Sequence, residues 1–195
     1  MKDAAGKRPD YRCRAMSRAL AAFALASIAA VAQATTLVAL DTQDLVAQAK
    51  VVAVVDVVAT RVARSGGILT TVATLEVVRA VKGTALGERL VAFSPGGRQG
   101  EWVQLVDGAP RLQEGETRVV FLEPAGPGVY RFVGLEQGAL RVVPDRSAPG
   151  GFAVERHFVS RLVPKHSGLP LPLLPSREPL MPYLAKLDHL AGARR

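Results

Sequence analysis

The chain has one cysteine in 195 residues, three histidines and one tryptophan, and aromatic residues make up only 5% of it. A single thiol, Cys13, excludes a disulfide framework, since a bridge needs two. His157, His166 and His189 stand far apart, with no second ligand at helical or turn spacing, so neither a zinc site nor any other cofactor is expected. No serine sits in a Gly-x-Ser-x-Gly elbow. Ser94, His157 and Asp107 are merely three residue types scattered along the chain. The loop Ser94-Pro95-Gly96-Gly97 has no Gly-Lys-Ser/Thr behind it and is no phosphate cradle. What is present is an apolar fraction of 49%, carried by Val, Ala and Leu, enough for a packed core and too much for a disordered chain.

The charge is uneven. Lys and Arg number 25 against 17 acids, a net +8, but Met1–Ala34 alone holds six basic residues and two acids. The remainder carries +4, too little to indicate an anionic polymer as partner. Within the leading segment Arg12, Arg14 and Arg18 precede an apolar run, Ala19 to Ala32, which ends in the small-x-small tripeptide Ala32-Gln33-Ala34. Basic, apolar and small-residue zones in that order form a Sec-type secretory signal, with cleavage expected between Ala34 and Thr35. The run is 14 residues long, short of the ~20 that span a bilayer as a helix, so no transmembrane span is expected in the mature chain. Cys13 lies upstream of the run and would leave with the signal.

Residues 35–143 read as one β domain. Asp41 is placed to cap a short helix reaching Lys50. Val51, Ala53, Val55, Val57 and Ala59 then make one apolar face of a β-branched strand, with Asp56 interrupting the other. Ser65-Gly66-Gly67 is a hairpin turn. The strand after it runs from Ile68 to Val81, with Leu69, Thr71, Ala73, Leu75, Val77 and Val81 on one face and Arg79 as an exception. Short strands follow at 89–93, 101–106, 117–123, 129–135 and 139–143, separated by Gly- and Pro-rich turns, the pattern of a small barrel or sandwich. Residues 144–195 read as a Pro-rich appendage, with a strand or short helix within Phe152–Val163, an extended path through 169–175 and a helix from Tyr183 to Ala191.

Leu45–Val55, the Ile68 strand ending in Val81-Lys82-Gly83, Ser94–Gly97, Glu114–Leu122 and Gln137-Gly138 together resemble a family of uncharacterised exported bacterial proteins. The strand pair ending in Val-Lys-Gly is also similar to netrin-like modules and the tissue inhibitors of metalloproteinases. That resemblance implies a five-stranded OB-like barrel and a role in modulating a secreted protease. Those inhibitors present an N-terminal cysteine to the protease zinc, held by disulfides, whereas the mature chain here would begin Thr35-Thr36. An untethered terminus loses conformational freedom on binding, which weakens that mode.

Two function classes follow. The first is an exported, non-enzymatic module that binds a protein or cell-envelope partner; the second is a hydrolase without a local motif. Nucleic acid is not an expected partner, because Arg61, Arg64 and Arg79 do not alternate with aromatics, and Trp102, Tyr130 and Phe132 are few for a stacking platform. Glu114 and Glu116 flank Gly115 in a turn expected to be wet, unsuited to splitting two carboxyl pKa values. The partner site is expected at Gly96, Gly97, Gly100 and Trp102, where glycines allow close backbone approach beside the residue type most enriched at binding hot spots. The bland alternative, which base rates favour, is that Trp102 plugs the end of a barrel. Its exposure separates the two readings.

Overall fold

The Val-rich alternating segments form strands, and the chain is mainly β. The computed structural model describes residues 36–156, 158, 161–164 and 175–193. The expected signal, the Ala34–Thr35 cleavage site, His157, His166 and most of the proline-rich path at 169–175 lie outside the described residues. In chain order the elements are β1 (Thr36–Val38), α1 (Thr42–Gln48), β2 (Val51–Ser65), β3 (Ile68–Lys82), β4 (Arg89–Pro95), β5 (Gly97–Gln99), β6 (Trp102–Gln104), β7 (Thr117–Gly126), β8 (Val129–Phe132), a 3-10 turn (Leu135–Gly138), β9 (Ala139–Pro144), β10 (Phe152–Arg156), β11 (Arg161–Val163), β12 (Ser176–Pro179) and α2 (Leu180–Gly192). None of the described helices is long and apolar enough to cross a membrane.

Eight strands form one sheet in the order β12-β10-β9-β7-β2-β3-β4-β8, and β7 also pairs with β8. Pairing therefore passes from β7 through β2, β3, β4 and β8 and returns to β7. All of these contacts are antiparallel except the parallel β4–β8 pair. The alternation of β2 sorts its residues between two apolar clusters. Val51, Ala53, Val55 and Val57 join Ala73, Leu75, Val77, Leu90, Ala92, Val120, Leu122 and Phe132 in the first. Val52 and Val54 join Val119, Phe121, Leu140 and Val154, together with α1 and α2, in the second. β7 is likewise buried on both sides, which explains its unbroken run Val119-Val120-Phe121-Leu122.

Three register shifts correct the expected faces. In β2 the pairing passes from Val57–Leu75 to Ala59–Thr74, leaving Val58 as an extra residue, so Ala59 is exposed rather than facing inward with Val57. In β3 the extra residues are Val78 and Val81. After Val78 the parity inverts, and Arg79 pairs opposite Val54 on the side of the second cluster, where it meets Asp188 of α2 at 2.8 Å. The exception in the apolar face is thus a change of face. Val81 also packs against the second cluster, not with Val77. Lys82 follows on that side, and its Nζ donates to the carbonyls of Val46 (2.8 Å) and Ala49 (2.6 Å) at the end of α1. Gly83 then passes so close to the Lys50 carbonyl that a Cβ there would collide with it. Val-Lys-Gly is therefore the seam between β3 and α1.

Asp41 caps α1 as expected. Its side chain accepts from the Asp44 N–H at 2.7 Å, and Asp44 reciprocates at the Asp41 N–H. Asp56 accepts from the Thr117 hydroxyl at 2.6 Å. The stretch read as an appendage contributes to the same sheet. β10 and β12 extend it beyond β9, and α2 supplies Tyr183, Leu184 and Leu187 to the second cluster. Those side chains are apolar at helical spacing because they cover the sheet.

Candidate functional site

β4 ends at Pro95, and the chain turns at Gly96 into a separate two-stranded ribbon of β5 and β6. The expected strand at 101–106 is reduced to three residues, Trp102–Gln104, paired only with Gly97–Gln99. Gly96 and Gly97 hold positive φ angles of 91° and 146°, and Gly100 turns the ribbon at 60°. A Cβ on Gly96 would lie 2.7 Å from the Gln104 carbonyl, and one on Gly97 would lie 2.8 Å from the Thr71 hydroxyl and 3.0 Å from Val62. Gly96 lets the ribbon close on Gln104, and Gly97 lets it lie against the β2–β3 hairpin. Two side-chain bonds fasten it there: Gln104 Oε1 accepts from the Leu69 N–H at 2.7 Å, and Thr71 Oγ1 donates to the Gly96 carbonyl at 2.9 Å.

The ribbon holds its tryptophan in the open. Trp102 is 68% exposed, so it plugs nothing. The guanidinium of Arg64 sits 5.5 Å from the ring centroid, within cation–π range, and steadies the indole from one side. Val103 and Leu105 are also exposed, as is Ile68 at the adjoining hairpin. The four site residues expected from sequence thus fall together, Gly96 and Gly97 as the seat and Gly100 and Trp102 at the ribbon's turn. Arg64, Ile68, Val103 and Leu105 were missed as members. Their signal was weak, because Ile68 and Arg64 belong to a different hairpin and meet the ribbon only in three dimensions.

A second concavity was not legible in the sequence. A cavity of about 280 Å³ lies between the loop at 106–113 and strands β7, β9 and β10. Its wall includes Glu116, which is not in the wet turn expected. The Glu116 side chain is mostly buried and accepts from Arg118 at 2.8 Å, with Arg141 at 3.8 Å. Glu114, by contrast, is exposed and accepts from the N–H and hydroxyl of Thr60. Arg118 is buried, and its two terminal nitrogens also donate to the carbonyls of Ala139 and Arg111 at 2.7 Å. Burial pushes its guanidinium below the usual range, while the charge of Glu116 opposes that shift. Arg118, Arg141, Glu155 and Arg177 stand in register across β7, β9, β10 and β12, and Glu155 is held by Arg177 at 2.8 Å. Here the carboxylates serve as partners for arginines that tie the loop to the sheet.

Ser94 and Asp107 do not meet as parts of a triad. Ser94 is buried and donates to the Pro110 carbonyl at 2.8 Å, while Asp107 is exposed. Among the described residues no group of three or more His, Cys, Asp or Glu is placed to hold a metal ion. Phe132 lies in the first cluster with Tyr130 packed against it, so neither joins Trp102 in a row of stacking rings. No family model matches the chain, and no curated protein matches it.

Proposed function

We propose that the chain is an exported, non-enzymatic module of OB-like, netrin-like barrel type that docks on a protein or cell-envelope partner through the Trp102 hairpin. The closed circuit of five strands supports the barrel, since full closure removes free edges and the first cluster fills the enclosed space. The basic, apolar and small-residue zones of residues 12–34 support export. The observation that carries the docking reading is the exposed Trp102, seated by Gly96 and Gly97 and stacked under Arg64. A ring of this size left in water costs solvation free energy, which a partner's surface recovers. The hairpin is anchored to the body by hydrogen bonds, so little ordering remains to be done on binding.

The test is fractionation. The wild-type chain is expected with the cell envelope, and Trp102→Ala combined with Leu105→Asp is expected to release it while leaving the melting temperature unchanged. Envelope association that survives in that variant would remove the hairpin from the function.

A further inference from the structure

We propose that the partner of the Trp102 hairpin is an anionic bilayer surface, into whose interfacial layer the ribbon inserts. This rests on the hairpin being the docking element. The composition of the tip is the first reason. Trp102, Val103 and Leu105 fall within four residues, with Leu105 69% exposed, and Ile68 adjoins them across the Gln104–Leu69 bond. The ribbon and the adjoining hairpin turn thus present indole and aliphatic surface together at one tip, the composition of an interfacial anchor.

Charge is the second reason. Arg64 and Arg98 are exposed around this tip, and Arg98 has no ion-pair partner among the described residues. The nearby acids are Glu101, exposed beside Trp102, Asp107, exposed two residues beyond Leu105, and Glu114, whose carboxylate is engaged by Thr60. Basic side chains next to a tryptophan and aliphatic tips match the two layers of a bilayer edge. Indole and the aliphatics enter the headgroup boundary, and the long arginine stems reach back to lipid phosphates. Arg64 already holds its guanidinium over the indole, so the cation and the ring are presented together.

Trp102 is the chain's one tryptophan, so its emission reports this spot and no other. The full chain is mixed with vesicles of phosphatidylglycerol and phosphatidylcholine, or of phosphatidylcholine alone, with and without bromine on the acyl chains. A blue shift and bromolipid quenching are expected on the anionic vesicles. Arg64→Gln with Arg98→Gln is expected to weaken partition roughly twenty-fivefold, each basic residue near the surface contributing about fivefold. Ile68→Asp with Leu105→Asp should abolish the quenching with melting unchanged. Vesicle binding without a change in Trp102 emission would place the contact elsewhere, for instance in the apolar run at 19–32, and overturn the proposal. Equal partition into neutral and anionic vesicles would also overturn it. A photo-crosslinker at Leu105 separates the two levels. A protein adduct with no vesicle response leaves the docking hairpin standing and rejects the bilayer, and no adduct with no vesicle response rejects both.

Discussion

Val77 and Val78 are neighbours in β3 with opposite expected fates. Val77 is 1% exposed in the first cluster, between β2 and β4, while Val78 is the extra residue of a register shift and is half exposed. Val77→Asp removes a buried aliphatic side chain, worth about 2 kcal/mol, and leaves a carboxyl with no partner among Val55, Leu75 and Leu90. Buried there, the acid stays neutral. Holding it so at pH 7, about three units above its ordinary pKa, costs about 4 kcal/mol. The sum, about 6 kcal/mol, is comparable to the whole stability of a typical domain, about 5–15 kcal/mol. Val78→Asp points its carboxylate to water and is expected to cost under about 1 kcal/mol. Urea unfolding followed by far-ultraviolet circular dichroism measures both. The buried acid has a folded pKa raised above its unfolded value, so its penalty grows with pH between the two and is absent below the unfolded pKa. Val77→Asp should therefore recover part of its loss near pH 4. Equal midpoints for Val77→Asp and wild type, or equal damage from the two variants, would refute the assignment of faces.

N-terminal sequencing of the exported protein is expected to begin at Thr35, and a mature chain retaining residues 20–34 would contradict export by cleavage. Lys82→Met strips two carbonyls at the end of α1 of their donor and should lower stability by about 1–3 kcal/mol in thermal melts. Thr84→Val should raise the pKa of Glu88, which the Thr84 hydroxyl and then the Ala85 N–H hold below its usual value. Because the folded pKa is depressed, this contribution is present above the ordinary carboxyl pKa and is lost as pH falls through the folded one, which a carboxyl titration by NMR reads directly. His157, His166 and His189→Ala together should leave the fold and envelope association unchanged. Stoichiometric zinc lost in that triple variant would refute this.

The strands were legible where one period held for many residues. Val51–Val57 and Ala73–Val77 alternate cleanly, and their inward faces are those expected. Legibility failed at Ala59 and Val81, each just after an extra residue, because a bulge shifts parity without any mark in composition. The wall of the cavity was invisible for another reason. Arg118, Arg141, Glu155 and Arg177 come from four strands and meet only through sheet register. At the candidate site the glycines and Trp102 were contiguous and therefore readable. The neighbours that give the site its character, Arg64 and Ile68, come from a hairpin some 35 residues earlier in the chain.

The two clusters also restrict where function can reside. β2 and β7 are buried on both faces over Val51–Val55 and Val119–Leu122, one side against the neighbouring strands of the circuit and the other under α1 and α2. A ligand has no access to the middle of the sheet without displacing a helix, and each such cluster is worth many kcal/mol of apolar burial. The third surface, where the sheet runs out through β9, β10 and β12, spends its charges on internal pairs. What remains is the end of the long β2–β3 hairpin, which carries exposed arginines and the tryptophan ribbon. On the proposed reading a substitution there alters docking with little effect on folding, because the side chains concerned contribute to neither cluster. The exposed ribbon and the two buried clusters therefore draw on different residues of the same region.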